Sequence, residues 1–185
     1  GEADQDTVVL TILVNSPPVV DLGADQNIFD CVPGQICILG SVTDVDNNIA
    51  SVTLVEGPGT WDGSQICFTP SAAGSYQFVL QAIDDCGAEG YDTVVVDYAL
   101  NSPPTADAGA DQSVFQCTPT QICWPASCSD VDGNLTSCTL IEGPGTYDGS
   151  QICFTPAGDG SYLFVLQATD DCGETDIDSV VIDVS

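Results

Sequence analysis

A chain of 185 residues with 28 carboxylates and no lysine, arginine or histidine carries a formal charge of −28, so no side-chain ion pair can form within it. That balance excludes nucleic acid and anionic lipid surfaces as partners. It also removes the imidazole base, the Schiff-base amine and the cationic oxyanion clamp on which nucleophilic catalysis usually rests. Carboxylates alone can hydrolyse glycosides, but here they gather in turns where solvation accounts for them, and we read the chain as no enzyme. Cations of the medium must screen such a charge, which fits a salty or divalent-rich exterior. Ten cysteines, four in the first half and six in the second, suit disulfides formed in an oxidising compartment, extracellular or at the cell surface.

The chain opens on an apolar segment. Residues 1–14 lack a basic n-region, and their apolar stretch from Val8 to Val14 is broken by Thr11 and far too short to span a bilayer. No membrane insertion is expected, any targeting signal having been removed or lying upstream. Val8, Leu10, Ile12 and Val14 alternate onto one face, and Val9 and Leu13 onto the other, which is the pattern of a strand. Left free in water it would be an aggregation hazard, so it is expected to dock on the sheet of a neighbour by strand addition.

From residue 15 the sequence repeats with a period of 86. Residues 15–99 align without a gap on 101–185, identical at 53 of 85 positions, and the same offset lays 1–14 on 87–100. A fixed period of this size marks a modular array. It divides the chain into 1–14, the closing strand of a preceding repeat or a donor strand, a first repeat at 15–100 and a second at 101–185. Each repeat begins Asn-Ser-Pro-Pro, at Asn15 and Asn101, and the paired prolines predict a short, stiff linker. Beyond it, alternating runs punctuated by Gly, Pro, Asn and Asp recur every 8 to 12 residues and read as all-β. The clearest strand covers 75–83 and points Tyr76, Phe78, Leu80 and Ala82 one way; the second repeat keeps those types at Tyr162, Phe164, Leu166 and Ala168. Closing strands alternate likewise at Val94, Val96 and Tyr98, and at Val180, Ile182 and Val184.

Three motifs of each repeat carry a resemblance: the opening PPVVDLGADQ and PPTADAGADQ, the turns DVDNN and DVDGN, and the strands GSYQFVLQAIDDCG and GSYLFVLQATDDCG. Each repeat resembles a PKD-type immunoglobulin-like domain over nearly all its length. It departs from that family in the middle, where LVEGPGTWDG and LIEGPGTYDG replace the usual tryptophan-led signature. The resemblance implies two tandem immunoglobulin-like (PKD-like) Greek-key β-sandwiches, here with an extra N-terminal β-strand, of the kind used in series on cell surfaces and in secreted proteins.

Two acidic loops are candidate ligands for Ca²⁺. Asp44, Asp46 and Asn48 sit at alternate positions of one, and Asp84 and Asp85 occupy the other; the second repeat has Asp130, Asp132, Asn134, Asp170 and Asp171. In an immunoglobulin-like sandwich both loops emerge beside the incoming linker, where hard oxygens suit Ca²⁺ at a domain junction. The other reading is that Asp and Asn are simply good turn formers. Asn134-Leu135-Thr136 is a glycosylation sequon or a chance match.

The cysteines suggest a pairing. Cys128 and Cys138 stand together where the first repeat has Val42 and Val52, and a pair gained together is most simply one disulfide. Cys37 and Cys67 share the context Gln-Ile-Cys on one outer face of adjacent strands, and Cys123 and Cys153 repeat it. Cys31 and Cys86, with their equivalents Cys117 and Cys172, are expected at opposite ends of a repeat, roughly 20 Å apart, whereas a disulfide spans about 7 Å at most. Cys31 is therefore expected to reach Cys172 between repeats, against a competing scheme of Cys31 with Cys37 and Cys67 with Cys86.

These features read as a structural subunit or segment of an extracellular filament or surface stalk, its repeats joined head to tail to copies of itself or to adjacent repeats. The alternative is an adhesin or carbohydrate-binding accessory module. Trp61, Trp124 and Tyr147 discriminate, because sugar recognition needs exposed aromatic platforms and a spacer packs them away.

Overall fold

The computed structural model describes residues 3–12 and 14–185, and the chain separates into two compact units meeting at Leu100 and Asn101. No helix occurs among the described residues.

The first unit contains β1 (Val19–Asp21), β2 (Gln26–Asp30), β3 (Ile36–Leu39), β4 (Ser41–Thr43), β5 (Ile49–Glu56), β6 (Thr60–Trp61), β7 (Gln65–Phe68), β8 (Gly74–Asp84) and β9 (Glu89–Leu100). One sheet runs β2-β9-β8-β5, with β2 parallel to β9 and the other pairs antiparallel. Facing it are the β3-β7-β6 sheet and the β1-β4 pair. Gly40 alone separates β3 from β4, and its N–H donates to the Ser64 carbonyl at 2.9 Å, so the pairing continues through the break. The chain passes from one sheet to the other within Leu22–Asp25, which explains the acidic opening motif. Asp92 accepts the Leu22 N–H at 2.6 Å and Asp25 accepts the Val95 N–H at 2.8 Å, so carboxylates pin the crossing to β9.

Period-2 alternation sends Ile36, Ile38, Ile66 and Phe68 from one layer and Phe78, Leu80, Ala82, Val94, Val96 and Tyr98 from the other into a shared core. Burying each large side chain contributes about 1.5–3 kcal/mol. Outside it, Cys37 and Cys67 stand directly opposite across β3 and β7 and are bonded, with Cα atoms 4.1 Å apart.

The second unit repeats the plan with β10 (Thr105–Asp107), β11 (Gln112–Val114), β12 (Ile122–Pro125), β13 (Ser127–Ser129), β14 (Leu135–Glu142), β15 (Thr146–Tyr147), β16 (Gln151–Phe154), β17 (Gly160–Asp170) and β18 (Thr175–Val184). Its sheets run β11-β18-β17-β14 and β12-β16-β15, with β10 paired to β13. Cys123–Cys153 repeats the cross-strand disulfide, and Cys128–Cys138 adds a second, joining β13 to β14 across the two layers with Cα atoms 5.9 Å apart.

The expected N-terminal strand is not formed within the chain. Residues 3–12 and 14 take no regular secondary structure, and Val8, Leu10, Ile12 and Val14 are 75–86% exposed. Leu13 lies outside the described residues. The physical reason is that a strand needs a ladder partner, and each unit's sheet already holds its own closing strand, β9 or β18.

Candidate metal centre at the linker end of each unit

The β4–β5 loop is shaped by its own carboxylate. Asp44 Oδ1 accepts the Asp46 N–H at 2.7 Å, turning the chain so that Asn47 adopts a left-handed conformation (φ 56°), a position filled by Gly133 (φ 75°) in the second unit. Asp46 Oδ2 then accepts the N–H of Ser16, a linker residue, at 2.8 Å. Asn48 donates through Nδ2 to Asn15 Oδ1 at 2.8 Å, while Asn15 Nδ2 donates to Asp84 Oδ2 at 2.7 Å. Asp84, almost wholly buried, takes the N–H groups of Cys86 and Ala88 on Oδ1. The Asn15 amide followed by those N–H groups holds its carboxyl below the usual range, against the opposing effect of burial. The Asp85 N–H donates to the Asn48 carbonyl at 2.8 Å and joins the two loops.

The second unit builds the same network. Ser102 N–H donates to Asp132 at 2.6 Å, Asn134 donates to Asn101 at 2.7 Å, and Asn101 donates to Asp170 at 2.7 Å. Asp130 turns its loop by accepting the Asp132 N–H at 2.7 Å. Asn134 also reaches Asp171 Oδ1 at 2.7 Å. Burial raises the Asp170 carboxyl, but the bonds from Asn101, Glu174, Cys172 and Gly173 outweigh it and leave it below its ordinary value. Because the Asn134 amide makes both its bonds inside this network, a glycan on that nitrogen would disrupt the clamp.

After all these bonds, two buried acceptors at the linker end of each unit have no donor: Asp44 Oδ2 with Asn48 Oδ1, and Asp130 Oδ2 with Asn134 Oδ1. An unsatisfied buried acceptor costs about 1–3 kcal/mol, and the chain has no cationic side chain to send there. The same two atoms are orphaned in both repeats, and a hard cation completed by water oxygens suits a carboxylate and an amide oxygen. The remaining candidates divide differently. Asp84 and Asp170 spend both oxygens on N–H donors and brace the loops; Asp46 and Asp132 are exposed and hold the linker; Asp85 and Asp171 are exposed. Among the described residues no three carboxylates lie within 4.8 Å of one another, so these residues form no preassembled carboxylate cage.

Sequence reasoning missed Asn15, Ser16, Asn101 and Ser102 as site residues, treating them as linker alone. The signal was present: Asn-Ser precedes Pro-Pro identically in both repeats, although a stiff spacer needs only the prolines.

Elsewhere, Cys86 and Cys117 are free, exposed thiols, whereas Cys31 and Cys172 are engaged. The competing scheme of Cys31 with Cys37 and Cys67 with Cys86 is not adopted, since Cys37 and Cys67 bond each other. Trp124 is buried and donates from Nε1 to the Ala108 carbonyl at 2.8 Å; Trp61 and Tyr147 are half-buried against the cores. None of the three forms an open platform.

No protein-family model matches the sequence, and no curated protein matches it. Solved structures do. Mouse cadherin-23 domains EC22–24 superpose with a TM-score of 0.65 at 17% identity, covering 93% of this chain and 67% of that one. Extracellular cadherin domains 1–4 of protocadherin gamma B7 give 0.57 at 13%, covering 91% and 51%. The titin I-band fragment I67–I69 gives 0.51 at 12%, covering 92% and 66%. The likeness is one of fold. It places the chain among tandem immunoglobulin-like β-sandwich repeats, and the chain spans about half the length of the protocadherin fragment.

Proposed function

We propose that the chain is a structural segment or subunit of an extracellular filament or surface stalk, in which immunoglobulin-like repeats join head to tail and residues 1–14 add as a strand to a neighbouring copy or repeat. The observation that carries this reading is a contrast between equivalent residues. Val94, Val96 and Tyr98 of β9 are buried at 0–4% exposure, whereas Val8, Leu10 and Ile12, which the repeat offset places on them, are exposed at 75–86%. A segment with the apolar pattern of a closing strand gains the burial of one only against another sheet.

Two features support stiffening of the array. Ca²⁺ at Asp44 and Asn48, and at Asp130 and Asn134, would satisfy the orphaned acceptors and lock each linker to the unit it precedes. A Cys31–Cys172 disulfide would staple the repeats. The disulfides within the units agree with an extracellular or cell-surface location, and among the described residues no helix is long and apolar enough to cross a membrane. The alternative of an adhesin or carbohydrate-binding module loses the platform it needed from Trp61, Trp124 and Tyr147.

Deleting residues 1–14 tests the reading. The truncated chain should stay folded by circular dichroism and run as a soluble monomer, and its continued assembly into filaments would overturn the role of this segment.

A further inference from the structure

The repeat offset sorts four cysteines into two kinds: Cys31 and Cys117 follow the second strand of their unit, and Cys86 and Cys172 lie in the turn before the closing strand. One of each kind is engaged, Cys31 of the first unit and Cys172 of the second; one of each kind is free, Cys86 of the first and Cys117 of the second. The free pair cannot be relieved within a unit. Cys117 lies beside the end of β18, where the Gln116 N–H bonds the Ser185 carbonyl, while Cys172 precedes its start at Thr175. Ten residues of extended strand separate them, about 30 Å at ~3.3 Å per residue, far beyond disulfide reach. In the first unit β9 separates Cys31 from Cys86 by twelve residues.

We propose that Cys117 of one copy and Cys86 of the next form a covalent staple between successive chains, repeating at the outer junctions the Cys31–Cys172 bond proposed within the chain. The inference rests on the filament reading and adds its chemistry. A second observation favours a copy of this chain as the partner. Beside Cys117 is a small cavity of about 100 Å³ lined by Gln116, Pro119, Pro156, Gly158, Asp159 and Val184, and nearby Phe115 is 78% exposed where its repeat equivalent Phe29 is 44% exposed. An exposed phenylalanine beside an exposed thiol suits coverage by another protein surface. Two copies each carrying a charge of −28 repel one another and can offer no side-chain ion pairs, so a covalent bond holds where electrostatics oppose.

Bond formation needs an oxidant, here a small-molecule disulfide. The Cys117 thiolate attacks it, forming a mixed disulfide and releasing one thiol; the Cys86 thiolate of the next copy then displaces the second thiol. Two protein thiols thus lose two protons and two electrons, and the oxidant is reduced to two thiols.

The test uses the full chain, Cys86→Ser, Cys117→Ser and an equimolar mixture of the two variants, each incubated with oxidised glutathione. Samples are resolved on non-reducing gels, mapped by pepsin digestion and viewed by electron microscopy. Both side chains are exposed, so serine leaves the fold unchanged. The wild type should give a ladder that collapses on reduction, each variant alone should stay monomeric, and the mixture should give dimers containing a Cys86–Cys117 peptide. Dimers of a single variant, or a Cys86–Cys117 bond within one chain, would overturn the proposal. Filaments that fall to monomers on a non-reducing gel would overturn the staple and leave the filament reading standing; monomers on the gel with no filaments in the microscope would count against both.

Discussion

The first repeat fills the crossing between its sheets with Leu22, Ile38 and Trp61 packed around Gly40, where the second uses Ala108, Trp124 and Tyr147 around Ala126. The exchange is coupled. A Cβ at Gly40 would lie 2.8 Å from Leu22 Cδ2 and 3.2 Å from the Trp61 ring, so a methyl group fits at 126 only because residues 108 and 147 are smaller. The Trp124 indole is held by its bond to the Ala108 carbonyl and by edge contacts with Phe154 and Phe164. At the linker end, by contrast, the clamping bonds and both orphaned acceptors recur atom for atom. Packing tolerates redistribution at constant volume, whereas a network of directed bonds does not.

Breaking one side of the exchange should have the largest effect. Leu22→Ala leaves a cavity in the first core and should cost about 2–5 kcal/mol in urea unfolding. Adding Ile38→Trp, Gly40→Ala and Trp61→Tyr to it should recover much of that loss; a quadruple variant no more stable than Leu22→Ala would show that the swap is not compensatory.

Next in size is the extra staple. Replacing Cys128 and Cys138 with valine, the residues at the equivalent positions Val42 and Val52, should destabilise the second repeat by about 3 kcal/mol, the value expected for so short a closed loop. The first repeat should keep its own unfolding midpoint, and a shift of both together would mean that the repeats do not unfold independently.

The linker clamp is worth less. Asn15→Ala or Asn101→Ala leaves a buried Asp84 or Asp170 oxygen unbonded and should cost about 1–3 kcal/mol. Both carboxyls titrate below the ordinary aspartate value of about 3.9. Their contribution is therefore fully present above that pH and fades as acid passes through the lowered values. The asparagine variants should lose part of this acid sensitivity, seen as a shallower fall of melting temperature below about pH 4. Calcium should raise the melting temperature and chelation at fixed ionic strength should lower it; an unchanged melt would leave Asp44 Oδ2 and Asn48 Oδ1 without the partner proposed for them.

The sandwich was legible in the sequence because alternation alone assigns Tyr76, Phe78, Leu80 and Ala82 to one face, and the period of 86 repeats that assignment independently. The acidic loops were legible as a site but not as an arrangement. Spacing places Asp44, Asp46 and Asn48 near one another, yet only the folded network shows that Asp84 braces, Asp46 holds the linker and Asn48 keeps an oxygen unbonded. Asn15 escaped notice because its partners lie 33 and 69 residues away, and no local pattern announces a bond of that range. Residues 1–14 carry an apolar alternation in the sequence, but strand formation depends on a partner sheet that the pattern does not specify.

The most direct test is electron microscopy of the purified full chain in calcium under oxidising conditions. The account predicts filaments built from end-to-end repeats, abolished when residues 1–14 are removed; a monodisperse field of single two-unit particles, with the N-terminal segment present and the disulfides intact, would contradict it.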